Sequence, residues 1–326
     1  MIFNKGLKLF YMKISVIIPV CGAENHIINA VESALQFDEV HEVILVEDGS
    51  YDGSLKICKN LEQRYERVNV FQHDDQKNHG TGQSCNLGIE KAKGDYIAFL
   101  NAHDHYLPNR FNAEKEMFLC DRVEGVYGAL GVCYHSKRAK DQYFPRYKNH
   151  LTTVCEKCRP EAVFPGQLTL GGLFGSLHIN TLTLRKDSLL KKMNELFKPL
   201  LFYTDMEFLF RVSFYLDLYP GILNTAVAER GIYESDLKSV IIPDEVPPVM
   251  KKIHLWKSLY EWSETEESIP HEIKLHVSRM YHSLYIGNVG FLKRWRMIFK
   301  YLILDYAIIA NPLYNSNFRN VNGRSG

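Results

Sequence analysis

This sequence lacks three features that would identify a membrane-spanning, secreted or nucleic-acid-binding protein. No run of residues is long and apolar enough to span a bilayer, so we expect no transmembrane helix. No sustained apolar stretch precedes Ile14, so we expect no secretory signal. Neither sign of charge dominates, with 39 basic and 38 acidic residues and a net charge of +1, whereas proteins that bind nucleic acids are usually strongly basic. The sequence therefore predicts a cytoplasmic protein without a nucleic-acid partner.

The sequence also lacks a pattern of paired cysteines. Its seven cysteines are an odd number scattered through apparent core segments, which is typical of buried free thiols in a reducing compartment. Cys155 and Cys158 are the only close pair, and no second pair at zinc-ligand spacing accompanies them. A structural or incidental role is therefore favoured for this pair over zinc binding.

The first third of the sequence contains an alternation of strand-like and helix-like segments. Continuous apolar, β-branched runs are typical of buried parallel strands. They occupy residues 14–20, 43–46, 68–71 and 95–100. Helical spacing of apolar residues occurs between them, at residues 24–35, 55–61 and 84–92. This alternation predicts right-handed βαβ units and a parallel sheet.

The rest of the chain changes character. Residues 134–165 show little periodicity and predict a long loop that is functional or mobile. Beyond it we predict strands at 181–184 and 222–228 and helices at 188–197 and 205–214. After a proline-rich hinge at 243–248, further helices are predicted at 250–262, 271–286 and 289–309. We expect an N-terminal extension (1–12), an α/β domain (13–240) and a C-terminal helical region (241–326).

Polar side chains follow the second and fourth predicted strands. Ligands of open α/β sheets bind beyond the carboxyl ends of such strands, so Glu47 and Asp48 lie where a polar ligand would be held. Asn101, His103 and Asp104 offer the oxygen and imidazole ligands that divalent cations use beside phosphates. The alternative interpretation is turn chemistry, with Asp104 as a local cap before the next helix.

Together, four segments resemble the family 2 glycosyltransferases with the GT-A fold, namely residues 17–20, 46–54, 78–88 and 94–108. The order and spacing of these motifs match across roughly residues 13–120, and the match continues more weakly to 204–208. The resemblance implies a Rossmann-like, mostly parallel α/β sheet flanked by helices, with a C-terminal helical extension. It also divides the α/β domain into a nucleotide-sugar half, about 13–120, and an acceptor half, about 121–240.

The activity that this resemblance implies is inverting transfer of a sugar from a pyrimidine nucleotide-sugar, expected to be UDP-linked. The implied acceptor is a saccharide or a lipid-linked molecule in cell-surface polysaccharide or glycolipid synthesis. By the same resemblance, the donor is bound by Pro19, Val20, Glu24, Asp48, Asn78, Gly80, Asn101 and Arg230.

For two of these residues the resemblance also implies a chemical role. Asp48 would accept a hydrogen bond from the pyrimidine N3–H. Arg230 would neutralise the leaving phosphate. The alternative for Arg230 is a surface ion pair with Glu229 or Glu234, and the sequence does not separate the two.

The family's acidic metal signature, Asp-x-Asp-Asp, is altered in this chain. The corresponding residues read Asn101-Ala-His103-Asp104, so His103 and Asp104 are the implied ligands of Mn²⁺ or Mg²⁺. Histidine binds manganese but contributes no negative charge. A second interpretation is therefore a catalytically degenerate member that binds nucleotide-sugar or a partner without transfer. A third, a nucleotidyltransferase, would require a basic glycine-rich loop after the first strand, and residues 20–24 lack one.

The resemblance also supplies catalytic and acceptor residues. Asp205 occupies the position of the family's general base, which deprotonates the attacking hydroxyl, and Glu207 is the next candidate. The alternative is that both carboxylates only complement a helix N-terminus. His178 follows a glycine-rich stretch and is the implied acceptor contact, although a lone histidine is more often a satisfied core residue.

The predicted helix at 289–309 is basic and amphipathic and contains tryptophan and phenylalanine, a composition that suits an anionic membrane surface. The pattern leaves two interpretations open. One is peripheral attachment to the inner face of the membrane, and the other, the more frequent arrangement, is a helix packed on the rest of the protein with a solvated basic face.

Overall fold

The computed structural model of the protein describes residues 11–147, 154, 156–170, 175–233 and 246–319. The chain divides into two compact units. The α/β unit comprises Met1–Pro199 and Phe208–Ser239, and the helical unit comprises Leu200–Glu207 and Val240–Gly326. The domain boundaries drawn from the sequence stay predictions.

The described strands all belong to the α/β unit. They are β1 (Ile14–Val20), β2 (Val40–Glu47), β3 (Val68–Gln72), β4 (Tyr96–Phe99), β5 (His105–Tyr106), β6 (Gly125–Tyr127), β7 (Ala129–Tyr134), β8 (Leu182–Arg185), β9 (Leu218–Pro220) and β10 (Ala226–Ile232). Seven of them form one sheet in the order β3-β2-β1-β4-β8-β6-β9, and a smaller sheet has the order β5-β10-β7. In the large sheet only β8 runs antiparallel to its neighbours. The predicted mostly parallel α/β sheet is therefore confirmed.

The described helices that lie wholly in the α/β unit accompany the two sheets. They are α1 (Ile27–Leu35), α2 (Ser54–Arg64), α3 (Thr81–Lys91), α4 (Asn112–Met117), α5 (Lys137–Tyr147), α6 (Pro160–Gln167) and α7 (Lys186–Lys192), with a 3-10 turn at Ile179–Thr181. Helix α8 (Thr204–Tyr215) begins in the helical unit and ends in the α/β unit.

Strand β1 illustrates why the apolar runs could be recognised in the sequence. Val16 and Ile18 are buried in one hydrophobic cluster, while Ile17 is buried in another. Because alternate side chains of a strand face opposite sides of the sheet, both faces must be apolar when both are covered. Helix α3 approaches β1 closely at Gly88, where a Cβ atom would collide with the side chain of Ile17.

Several predicted elements were wrong in type or extent. Residues 134–165 are not one long loop, because they contain α5 and α6. Helix α5 has few apolar residues and an internal Pro145, so its sequence carries no clear helical pattern. The strand predicted at 222–228 lies instead at Ala226–Ile232, and it includes the charged residues Glu229 and Arg230.

The described helices of the remaining unit are α9 (Pro248–Thr265), α10 (His271–Gly287), α11 (Phe291–Leu304), α12 (Ala307–Ala310) and α13 (Pro312–Arg319). The helix predicted at 289–309 is thus divided, because α11 ends before Asp305. The Arg279 guanidinium of α10 binds both carboxylate oxygens of Asp305 at 2.8 Å. None of the helices in the described ranges is long and apolar enough to cross a membrane.

Candidate functional site

A cavity of about 430 Å³ lies in the α/β unit, where β1, β2, β4 and β10 end. It is lined by Pro19, Val20, Cys21, Asp48, Thr81, Asn101, Ala102, His103, Asp104, Arg230, Gly231 and Ile232. The position agrees with the rule that ligands of open α/β sheets bind beyond the carboxyl ends of the strands. This cavity is the candidate site.

Seven of the residues singled out in the sequence meet in this cavity: Pro19, Val20, Asp48, Asn101, His103, Asp104 and Arg230. The other predicted donor contacts, Glu24, Asn78 and Gly80, are not among its lining residues. Their contacts with a donor stay predictions.

Asp48 organises the loop that leads into α3. Its buried carboxylate accepts hydrogen bonds from the backbone N–H groups of His79 and Gly80, at 2.7 and 2.9 Å. The side-chain amide of Asn78 donates to the carbonyl oxygen of Asp48 and to the sulfur of Cys21, at 3.0 and 3.2 Å. A carboxylate has about four lone-pair positions, so Asp48 retains capacity to accept a further hydrogen bond from a ligand.

Glu24 fixes the turn that follows β1. Its carboxylate accepts a hydrogen bond from the backbone N–H of Gly53 at 2.7 Å, and its own N–H donates to Asp52 at 3.2 Å. These contacts join the turn after β1 to the start of α2. The position of Asp52 in this network, with hydrogen bonds from Ser54 and Glu24, lowers the pKa of its carboxyl despite partial burial.

Asp104 is a second buried carboxylate of the cavity, and three hydrogen bonds hold it in place. It accepts hydrogen bonds from the side-chain amides of Asn180 and Asn101, at 2.6 and 3.2 Å, and from the backbone N–H of Gly231 at 3.0 Å. Burial raises the pKa of Asp104, and the charge of Arg230 opposes that rise. Asp104 therefore joins the end of β4 to the 3-10 turn and to β10. It is not a helix cap, because the next helix, α4, begins only at Asn112.

His103 lies beside Asp104 in a group of aromatic rings. Its ring centroid is 4.8 Å from that of His26, which in turn lies 3.8 Å from the ring of Tyr233. Tyr233 is also stacked on His135 at 4.0 Å. The Nδ1 atom of His103 is buried and has no hydrogen-bond partner among the described residues.

The residues predicted to hold a divalent metal supply part of a ligand set. Within the described ranges, no three His, Cys, Asp or Glu side chains are grouped so as to hold a metal ion. His103 offers an unpaired ring nitrogen, and Asp104 offers a carboxylate that already accepts three hydrogen bonds. Mg²⁺ is commonly bound through one or two carboxylates plus substrate phosphates. His103 and Asp104 thus supply at most two ligands, and a metal held there would take its other ligands from a bound diphosphate.

Arg230 brings a positive charge to the cavity. Its guanidinium lies 2.6 Å from Nε2 of His178. A guanidinium can only donate hydrogen bonds, so this ring nitrogen must be the acceptor and the ring must be neutral. Burial, together with the charge of Arg230, lowers the pKa of His178 to about 3. His178 therefore orients Arg230, and its predicted contact with an acceptor stays a prediction. Glu229, the alternative partner of Arg230, pairs with His105 at 3.2 Å.

Asp205 and Glu207, the predicted catalytic carboxylates, belong to the helical unit. Asp205 is partly buried in the first turn of α8, where its carboxylate accepts a hydrogen bond from the N–H of Met206 at 2.9 Å. Glu207 is fully buried and accepts a hydrogen bond from the hydroxyl of Ser258 on α9 at 3.1 Å. The preceding Tyr203 has a φ of 56°, an uncommon backbone conformation for a residue other than glycine.

Other residues of the site were missed in the sequence. Thr81, Gly231 and Ile232 line the cavity, and Asn180 fixes Asp104. Asn180 and Gly231 are 76 and 127 residues away from Asp104 along the chain. No local pattern signals such contacts. Thr81 could have been found, since it opens the helix that follows the Asn78–Gly80 motif.

Known proteins that are similar to this chain include glycosyltransferases. The model of the family described as "Glycosyl transferase family 2" matches residues 15–216. A cholesterol galactosyltransferase of Borreliella burgdorferi is 32% identical over 128 residues, which are 35% of this chain and 34% of the relative. The chain spans between about a third and a half of the length of the first curated relatives that it matches.

Solved structures show the same fold. S. aureus TarS 1-349, in complex with UDP-GlcNAc, superposes with a TM-score of 0.60 at 15% identity, covering 95% of this chain and 79% of TarS 1-349. The mannosyltransferase PcManGT of Pyrobaculum calidifontis, in complex with GDP-Man and Mn²⁺, has a TM-score of 0.52 at 14% identity, covering 96% and 85% of the two chains. At such low identity these likenesses establish the fold alone, and they confirm the predicted GT-A architecture.

The family model covers well over half of the sequence, and it includes the ends of β1, β2 and β4 at the cavity, while the end of β10 lies beyond the match. This chain therefore belongs to glycosyl transferase family 2, a family of enzymes.

Proposed function

We propose that this protein transfers a sugar, with inversion at the anomeric carbon, from a UDP-sugar to a saccharide or lipid-linked acceptor. The observation that carries the proposal is the cavity itself, which combines a buried carboxylate, Asp48, with an arginine, Arg230. A uridine diphosphate needs a hydrogen-bond acceptor for the base and a positive charge for the phosphates. A cholesterol galactosyltransferase and a minor teichoic acid biosynthesis protein among the relatives support a cell-surface glycolipid or polysaccharide as the product.

In this proposal the donor lies across the carboxyl ends of the strands. Asp48 accepts the N3–H of uracil with the lone pairs that His79 and Gly80 leave unused. Pro19 and Val20 form the apolar wall beside the base. Arg230, oriented by neutral His178, stabilises the negative charge that develops on the leaving diphosphate.

The proposed cofactor is Mn²⁺ or Mg²⁺, held by His103 and Asp104. When bound, it would neutralise charge on the diphosphate. Three hydrogen bonds from the chain itself, donated by Asn101, Asn180 and Gly231, fix the position of Asp104.

Asp205 is the proposed general base, and Glu207 is the second candidate. In an inverting displacement, the acceptor oxygen attacks the anomeric carbon as the bond to the diphosphate oxygen breaks. The acceptor proton passes to the carboxylate, and UDP leaves with the bonding electron pair. The hydrogen bond from Ser258 and the full burial of Glu207 favour a structural role for that residue and leave Asp205 as the preferred base.

The substitution Asp205→Asn tests the proposal, because it keeps the shape of the side chain and removes its basicity. We expect transfer or donor hydrolysis to fall by about 10²–10⁴-fold, with UDP affinity unchanged. UDP release from a panel of UDP-sugars would measure the rate, and calorimetry would measure the affinity. Retention of activity within a few-fold would move the base to another residue.

A catalytically degenerate binder is the second candidate function. The observation that favours it is that both carboxylate oxygens of Asp104 already accept hydrogen bonds from the chain. This alternative predicts UDP-sugar binding by the parent protein without UDP release in the presence of any acceptor. Turnover of any UDP-sugar by the parent protein would exclude it.

A further inference from the structure

Helix α11 exposes a large apolar surface. Phe291, Leu292, Phe299 and Ile303 are 74%, 84%, 69% and 79% exposed, and Trp295 is 56% exposed. Soluble monomeric proteins rarely leave a contiguous apolar patch of this kind uncovered, and such patches mark interaction surfaces. We call these five residues the apolar face of α11.

The apolar face is separate from the face by which α11 packs in its own unit. Met297, Ile298 and Tyr301 contact a small core that contains Ile286 and Ile308. Consecutive helical residues are rotated by about 100°, so Trp295, Phe299 and Ile303 form a row on a different side. Packing of α11 on the rest of the protein accounts only for the side that contains Met297, Ile298 and Tyr301. It does not explain the exposed apolar face.

The charge on α11 indicates what that occupant is. The helix carries Lys293, Arg294, Arg296 and Lys300 and contains no acidic residue. Arg296 and Lys300 line the same shallow groove as Trp295, Phe299 and Ile303, a volume of about 510 Å³. The acid that follows the helix, Asp305, is bound by Arg279 at 2.8 Å. The exposed surface of α11 is therefore apolar and positively charged.

We propose that the apolar face of α11 docks on the surface of an anionic phospholipid bilayer. Trp295, Phe299 and Ile303 enter the boundary between head groups and acyl chains, while Arg296 and Lys300 pair with lipid phosphates, as interfacial amphipathic helices do. The helix lies in the plane of the membrane, because its 14 residues span about 21 Å and a bilayer core is about 30 Å thick.

A second copy of the chain fits this surface less well than a bilayer does. Pairing two apolar faces of α11 would bring four groove-lining cations of like sign together, Arg296 and Lys300 from each helix, without an acidic residue on either helix. An anionic membrane supplies both an apolar interior and the opposite charge. The proposal is independent of the proposed catalytic activity.

Sedimentation of the full chain with vesicles tests the proposal. The vesicles contain phosphatidylcholine alone or equal parts of phosphatidylcholine and phosphatidylglycerol. We expect binding to the anionic vesicles, weaker binding to the neutral ones, and loss of binding as salt is raised. Phe299→Ser with Ile303→Ser, and separately Arg296→Glu with Lys300→Glu, should each lower vesicle affinity by about tenfold or more.

Matched controls separate docking from general changes in polarity. Leu201 is an 80% exposed leucine of the same unit, and Lys252 is an exposed lysine on α9. Leu201→Ser and Lys252→Glu should bind vesicles like the parent, and unchanged melting curves would show that each variant is folded. Absence of binding to anionic vesicles, or equal binding by the α11 variants, would overturn the proposal. So would a lipid-free dimer, seen by analytical ultracentrifugation, that Phe299→Ser dissociates.

Discussion

At the scale of single residues, Asp48 combines a structural and a proposed binding role, and a base-specific measurement separates them. Uracil presents an N3–H donor to this carboxylate, whereas cytosine presents an unprotonated N3. The parent protein should therefore bind UDP more tightly than CDP, by about 1–3 kcal/mol for a buried hydrogen bond. Asp48→Asn should reduce this preference, because one amide oxygen can still accept from the backbone while the NH₂ group faces the base.

Calorimetric titration of both nucleotides into both proteins measures the preference. Asp48→Asn also perturbs the loop at His79 and Gly80, which would weaken both nucleotides alike. The ratio of the two affinities is therefore the informative quantity. Equal affinity of the parent for UDP and CDP would show that Asp48 does not contact the base.

Arg230 is the second residue whose role can be isolated. If Arg230 neutralises the diphosphate, Arg230→Met should lower the affinity for UDP by about tenfold or more. The affinity for uridine, which has no phosphate, should be nearly unchanged. Arg230→Lys keeps the charge but loses the planar fork that reaches His178, so partial recovery is expected. If both variants lowered the affinities for uridine and UDP equally, Arg230 would instead be a residue that maintains the shape of the cavity.

At the scale of elements, the hydrogen bond between Arg230 of β10 and His178, which directly precedes the 3-10 turn, should make the stability of the fold depend on pH. The folded state lowers the pKa of His178 from 6.5 to about 3, so the unfolded chain binds a proton there that the folded chain does not. The contribution of the neutral His178 ring to the free energy of unfolding is therefore complete above pH 6.5, and it is lost as the pH falls towards 3. The limiting slope is about 1.4 kcal/mol per pH unit.

His178→Gln removes the titrating ring and keeps an oxygen that can accept from Arg230. Urea unfolding across this pH range should give a free energy of unfolding that falls less steeply in the variant than in the parent. Parallel curves for the two proteins would indicate that His178 titrates normally in the folded state.

The packing of α3 on β1 gives a second prediction about elements. Gly88→Val would place side-chain atoms against Ile17, which is itself fully buried, and should cost about 1–3 kcal/mol of unfolding free energy. Glu90→Val is the matched control, because it puts the same residue on an exposed position of the same helix. Chemical denaturation measures both, and a similar cost for the two variants would mean that α3 does not approach β1 as closely as described.

At the scale of the whole molecule, the sequence predicted what local patterns encode. Strands such as Ile14–Val20 were recognisable because burial on both faces requires a continuous apolar run. Strand β10 was shifted in the prediction, because Glu229 and Arg230 interrupt its apolar pattern at the cavity. The sequence predicted that Asp104 and His103 lie at the site. It could not predict the partners that fix Asp104, since they are distant along the chain.

Calorimetric titration of UDP, in EDTA and in Mn²⁺, tests most directly whether the cavity at the strand ends holds a uridine diphosphate. The titration compares proteins in which the cavity is blocked or left open. Thr81 is exposed at the start of α3 and lines the cavity, whereas Glu90 is exposed on the same helix and does not line it. We expect the parent and Glu90→Trp to bind UDP, more tightly with Mn²⁺, and Thr81→Trp not to bind it. Failure of the parent to bind UDP in either condition, or unchanged binding by Thr81→Trp, would contradict it.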